Sequence, residues 1–281
     1  MRRRRQARDR EGKNFMRIRW ISAAVAATAA IGAMAGTPAS ALDLVGLSDK
    51  GQLVLFKDSG LKDTTVVAVT GLSAPLIGID FRPADKRLYG VAANSTIYTI
   101  EPRTGVATFV ANLSEPFVSA KGAVVDFNPQ ADRLRLINDS GTLNYRINVD
   151  TGAVTKDKPL AYGEKDKAAG KTPSILAGAY INSYAGAKAT QLFHVDSARG
   201  AWVVQDPPND GILGSIADTG LGQREIRGLD ILTDAKDDYV GYAVAGSTLI
   251  EVSVAKGTAK TLGTIGDGRM TLIDLAFVPV R

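Results

Sequence analysis

Leu76-Ile77-Gly78-Ile79-Asp80-Phe81-Arg82-Pro83, followed by Arg87-Leu88-Tyr89-Gly90, Thr96-Ile97-Tyr98-Thr99-Ile100 and Ala107-Thr108-Phe109-Val110, reads as four short strands joined by turns. β-branched and aromatic residues fill the runs, while Pro83 and Thr104-Gly105 punctuate them. The same order returns in Val124-Val125-Asp126-Phe127-Asn128-Pro129, Arg133-Leu134-Arg135-Leu136, Leu143-Asn144-Tyr145-Arg146-Ile147 and Ala153-Val154-Thr155, with Asp126 lying 46 residues after Asp80. A shared F-x-P and a shared Thr-Gly turn set the register of the two copies. Repeats of roughly 40–50 residues built from four strands are what propeller blades leave in a sequence.

Two further copies run from Ala177-Gly178-Ala179-Tyr180-Ile181 to Ile216 and from Gly228-Leu229-Asp230-Ile231 to Ile265. The ends of the repeat array complete the pattern. Leu44-Val45-Gly46-Leu47 matches Leu88 to Val91 and Gly51 to Phe56 matches Ser95 to Ile100, so the array begins without a first strand. Leu272-Ile273-Asp274-Leu275-Ala276-Phe277-Val278-Pro279 supplies only that strand, with its own F-x-P. The expected fold is therefore all-β, a five-bladed β-propeller of four-stranded blades, closed by one C-terminal strand joining three N-terminal strands. Closure hides the strand edges that an open sheet would expose.

Residues 1–41 read as a signal peptide, with Met16 as an alternative start. Met16-Arg17-Ile18-Arg19 is a basic head, Ile21 to Ala35 an apolar run and Ala39-Ser40-Ala41 a small-x-small cleavage site. Residues 42–281 then form a single propeller domain, expected to be periplasmic or secreted and to have no membrane span once the leader is removed. Of 34 Lys and Arg, nine lie in residues 1–41, against two of 29 acids, so the remainder carries a formal charge of −2. That balance excludes the basic footprint of a nucleic-acid binder. With no cysteine, thiolate metal sites, a Cys nucleophile and disulfides are excluded as well.

The motifs G-I-D-F-R-P with R-L-Y-G at 78–90, D-F-N-P with D-R-L-R at 126–135, and the stretch from Gly170-Lys171-Thr172-Pro173 to Ala179-Tyr180-Ile181-Asn182 resemble a family of exported bacterial proteins catalogued as domain of unknown function 4394. The resemblance covers nearly all of residues 42–281. It implies a fold and an exported life, and no activity, cofactor or catalytic residue.

In a propeller the first strand of each blade lines the central channel, which directs attention to Asp80, Asp126 and Asp230 at one register, with Tyr180 in the place of Asp in another copy. Asp274 lies two residues before that register and so points to the same side. A partial ring of carboxylates could hold a hard cation such as calcium. The favoured expectation is structural, each Asp accepting backbone N–H bonds from the adjoining turn and locking its blade. Arg82, Asn128 and Asn182 follow the strand ends and are expected near one mouth of the channel, where with Tyr180 they could recognise a polar or anionic ligand; the favoured expectation for the three is that they are solvated loop positions beside a proline. The polar stretch Gly163 to Pro173 is expected to be a surface loop, with Ser183 and Tyr184 just beyond it.

His194, the single histidine, is expected at a blade interface, and no G-x-S-x-G elbow exists to make a triad with it. Gly170-Lys171-Thr172 lacks the first glycine of a P-loop, and Pro208 disrupts the calcium-loop look-alike at 206–211. These readings favour a non-catalytic binding or interaction module for a protein, peptide or glycan. The alternatives are a metal-dependent, lactonase-like hydrolase using the channel carboxylates, and an envelope structural protein. No cofactor is fixed by the sequence; calcium is possible and not favoured.

Overall fold

The computed structural model describes residues 43–233 and 239–279. The expected signal peptide, residues 1–41, lies outside the described residues. Blade A contains β1 (Asp43–Ser48), β2 (Gln52–Lys57) and β3 (Gly60–Ala68). Blade B follows as β4 (Leu76–Phe81), β5 (Leu88–Ala92), β6 (Thr96–Ile100) and β7 (Ala107–Asn112), and blade C as β8 (Ala123–Asn128), β9 (Arg133–Asn138), β10 (Asn144–Asn148) and β11 (Ala153–Lys156). Blade D has β12 (Ala161–Tyr162), β13 (Ile175–Tyr180), β14 (Leu192–Asp196), β15 (Ala201–Gln205) and β16 (Ile212–Asp218). Blade E has β17 (Arg227–Thr233), β18 (Tyr239–Ala245), β19 (Thr248–Ser253) and β20 (Ala259–Thr264), and β21 (Leu272–Phe277) closes the ring.

Each blade is built on a four-stranded meander whose innermost strand is β21, β4, β8, β13 or β17, and five sheets form the five-bladed propeller. The closure is the expected one. β21 pairs antiparallel with β1, Leu44 opposite Phe277 and Val45 opposite Ala276, so the first strand of blade A comes from the far end of the domain. Blade D departs from four strands, because β12 adds in parallel beyond β16, Ala161 opposite Ile212. The polar stretch after it is fastened to the blade: Asp166 accepts from the Ser215 amide and hydroxyl.

Burial falls from the axis outward. β5 is buried at every position, while β3 and β7 alternate toward solvent. The hydrophobic core is accordingly a set of seams between blades. Leu53, Leu76 and Leu88 pack at A/B; Tyr89, Phe127 and Leu136 at B/C; Ile137, Leu160 and Val203 at C/D; Trp202, Leu229 and Ile250 at D/E; Tyr242, Leu249 and Phe277 at E/A. The Thr-Gly turns seal the periphery of two seams. Gly105 and Gly152 have positive φ and press against the carbonyls of Ala68 and Asn112 in the preceding blade, where a side chain would collide with backbone.

Candidate functional site

The inner strands bring the four sequence-marked carboxylates into the channel. Asp80, Asp126 and Asp230 each place a carboxylate oxygen within 4.8 Å of the others. Each inner-strand Asp reaches across a seam. Asp80 accepts from the Phe81 amide in its own strand and the Phe127 amide of blade C, both at 2.7 Å. Asp126 accepts from Tyr180 N–H of blade D at 2.8 Å. Asp230 accepts from Ile231 at 2.6 Å and from Phe277 of the closing strand at 2.7 Å. Asp274 accepts from Leu275 at 2.9 Å and from Ile79 of blade B at 2.8 Å. The amides are thus strand amides of the same and the next blade, where the sequence reading expected turn amides. The carboxylates lock blade to blade.

Asp274 fits at its displaced register because Gly78 faces it; a Cβ at Gly78 would strike both the Asp274 carboxylate and Val125. Desolvation raises the pKa of all four groups. For Asp80, the nearby Asp230 and Asp274 charges add to that rise, and its two amide bonds only partly offset it. Asp126 and Asp274 are raised for the same reasons, and Asp230 is pushed up to about 6 by burial against the pull of its two amides. Like charges this close in a low-dielectric site cannot all be ionised without an added cation.

Tyr180 does not occupy the Asp register. Asp80, Asp126 and Asp230 stand opposite Tyr89, Arg135 and Tyr242 on their neighbouring strands. Tyr89 packs edge-on to Phe127, and Tyr242 packs against Phe277. Arg135 in turn donates to Tyr180 Oη at 3.1 Å, so Tyr180 is the equivalent of Phe127 and Phe277, and Ala179 stands where the carboxylates do. Aligning the copies on the aromatic of F-x-P would have given this register from sequence. The D/E seam is therefore tied differently: Asn182 N–H donates to Thr233 Oγ1 at 2.9 Å.

The residues expected to bind a ligand are engaged within the protein. Arg82 donates through Nε and Nη2 to Asp132 at 2.8 and 2.6 Å and through Nη1 to Asp150 at 2.8 Å, clasping blade B to blade C. That guanidinium holds the Asp132 carboxyl below the usual range. Asn128 Oδ1 caps the Gln130 and Ala131 amides. Asn182 Nδ2 donates to Ala189 O and its Oδ1 accepts from Tyr239. His194 is buried, bonded through Nε2 to Gln205 Oε1 at 2.7 Å, and burial pushes its pKa down to about 4.

The open space lies beside these residues. A cavity of about 230 Å³ at the channel mouth has Asp80 and Asp230 among its lining, with Phe81, Phe277, Leu232 and Tyr184 as walls. A groove of about 870 Å³ runs between blades A and B, lined by Leu55, Phe56, Thr65 and Arg103 among others. Both share Phe81, Lys86 and Pro279, so they adjoin on the face that carries the F-x-P corners. Of this surface the sequence reading singled out Asp80, Asp230, Ser183 and Tyr184; the groove wall went unmarked, because it sets Leu55, Phe56 and Thr65 of blade A strands beside Glu101 and Arg103 of a blade B turn, residues that only the folded ring brings together.

Fold and site together define a closed five-bladed propeller with a carboxylate-lined channel. The chain belongs to the family described as Domain of unknown function (DUF4394), whose model matches residues 52–276. Among curated proteins no match is found. Among solved structures, the chain is similar to a structural-genomics protein of unknown function from Bacteroides thetaiotaomicron, with 15% identity and a TM-score of 0.51 over 83% of this chain and 61% of that one. It is also similar to an auxiliary nutrient binding protein from Bacteroides ovatus, with 12% identity and a TM-score of 0.47 over 84% of this chain and 62% of that one. A third is YCF48 from Cyanidioschyzon merolae, with 11% identity and a TM-score of 0.43 over 79% of this chain and 70% of that one. The chain thus spans less than two thirds of the length of the first two. Among the described residues no helix is long and apolar enough to cross a membrane.

Proposed function

We propose that the protein is an exported, non-catalytic binding module, periplasmic or secreted, that takes up an extended ligand on the F-x-P face. The observation that carries this reading is the adjoining groove and mouth cavity, held on a scaffold whose seams are closed by buried apolar clusters. Rigid scaffolds with adjoining concave surfaces bind at low ordering cost. The leader-like residues 1–41 support export. A protein or peptide chain suits the elongated space best, because the groove mixes apolar Leu55 and Phe56 with charges of both signs at Asp63, Glu101 and Arg103.

A thermal-shift screen of peptides and oligosaccharides against the purified domain tests the proposal, since a ligand of the folded state raises Tm by mass action. Thr65→Trp places a large side chain on an exposed groove position. The expected result is a ligand whose Tm shift disappears in Thr65→Trp; a shift that persists in that variant overturns the groove as the binding surface. The second reading, a metal-dependent hydrolase, rests on the clustered carboxylate oxygens of Asp80, Asp126 and Asp230. Stoichiometric metal in protein purified without chelator, together with lactone turnover, would favour it over the binding module.

A further inference from the structure

The mouth cavity has a composition that the groove lacks. At about 230 Å³ it is smaller than the ~300–1,000 Å³ usual for a whole small ligand, and is on the scale of one long side chain. Its walls are aromatic and apolar, from Phe81, Phe277, Leu232 and the half-exposed Tyr184. Asp80 and Asp230 reach it while remaining more than nine-tenths buried. The ion pairs among the described residues lie elsewhere, those of Arg82, Arg135 and Arg199 going to Asp132, Asp157 and Asp196. Lys86, on the boundary with the groove, is exposed, so its charge is screened by water while the carboxylates act through a drier medium.

We propose that this cavity receives the lysine side chain of an extended peptide lying in the adjoining groove, with the butyl stem against Phe81, Tyr184 and Phe277 and the ammonium at the Asp80 and Asp230 carboxylates. The inference rests on the binding-module reading and names its ligand. The two carboxylates are close enough for one ammonium to meet both, and aromatic walls add attraction for a cation. An arriving positive charge also relieves the mutual repulsion that raises these groups toward neutrality. A guanidinium would bring five donors to walls that are mostly apolar, whereas a lysine stem is apolar as far as its ammonium, which favours lysine over arginine.

The experiment probes an array of blocked random nonapeptides with the intact domain, then resynthesises enriched sequences with lysine, norleucine or Nε-acetyl-lysine at the conserved position. Enrichment of lysine, with at least about tenfold weaker binding of both neutral versions, is the expected result. Tyr184→Ala, at an exposed wall position, should weaken the lysine peptide several-fold and the norleucine peptide by less, because both lose the stem contact and only lysine loses the ring's attraction for its charge. Binding of all three versions with equal affinity would overturn the lysine inference while leaving the groove reading intact. Failure to enrich any sequence would overturn both.

Discussion

The B/C and D/E seams each hold a buried apolar cluster and differ in the polar links added to it. At B/C, Asp80 takes the Phe127 amide, and Arg82 spans to Asp132 and Asp150. At D/E the carboxylate is absent, Ala179 taking its place. There Phe193 and Trp202 stack at 5.3 Å beside Leu229, Ile231 and Ile250, and the polar links are neutral ones, from Asn182 N–H to Thr233 Oγ1, from Tyr239 Oη to Asn182 Oδ1 and from Ile226 N–H to Ser197 Oγ. An apolar seam depends on close packing and is indifferent to moderate changes in pH and salt, whereas a charged one responds to both. Carboxylate links thus cross the A/B, B/C, C/D and E/A seams while D/E is joined without one, and the open cavity lies where the carboxylates reach the surface.

Four substitutions or deletions probe that contrast. Deleting Met270 to Arg281 has the largest expected effect, because it removes β21, the acceptor Asp274 and the Phe277 amide bound by Asp230, and exposes the edge of β1. Chemical denaturation should show loss of cooperative unfolding, and light scattering should show aggregation. Trp202→Ala empties the D/E seam at a side chain with no exposure, and should cost about 3–5 kcal/mol in urea titration, with little change between low and high salt. Arg82→Ala breaks the B/C clasp. Because Asp132 and Asp150 are partly exposed, the expected cost is about 1–2 kcal/mol, shrinking as salt is raised. Asn128→Ala removes only a turn cap and should cost about 0.5–1 kcal/mol with ligand affinity unchanged.

The contrast between seams also separates what the sequence reveals from what it hides. The blades are legible because F-x-P and Thr-Gly mark positions with a fixed physical duty: Phe127 and Phe277 fill seams against Tyr89 and Tyr242, and Gly105 and Gly152 meet backbone of the preceding blade. The channel carboxylates are legible for the same reason, since they recur. Arg82 and Asn128 also recur at one offset, but their partners do not: Asp132 and Asp150 lie on other turns, and only the folded ring brings them to Arg82. Tyr180 misleads because it lies two residues after Gly178 as Asp80 does after Gly78, while its hydrogen bond with Arg135 belongs to the aromatic position. The groove is illegible because it joins Leu55, Phe56 and Thr65 on strands of blade A to Glu101 and Arg103 on a turn of blade B, which meet only in the folded ring.

The channel carboxylates lock the blades while their charge is unbalanced. Folded-state pKa values raised above the usual 3.8 mean that the folded protein holds more protons than the unfolded chain above pH 4. The resulting stabilisation is complete below the unfolded value and is lost as pH rises through the folded one, about 6 for Asp230. His194, lowered from 6.5 to about 4, works in the opposite sense between those values, which makes a comparison of two proteins cleaner than one curve. The decisive measurement is the Tm of ligand-free wild type and Asp230→Asn from pH 4.5 to 8. The account predicts that wild type loses stability relative to Asp230→Asn as pH rises through about 6. A difference that is flat, or that grows in favour of wild type with rising pH, would mean the carboxylate is ionised and balanced throughout, and would contradict it.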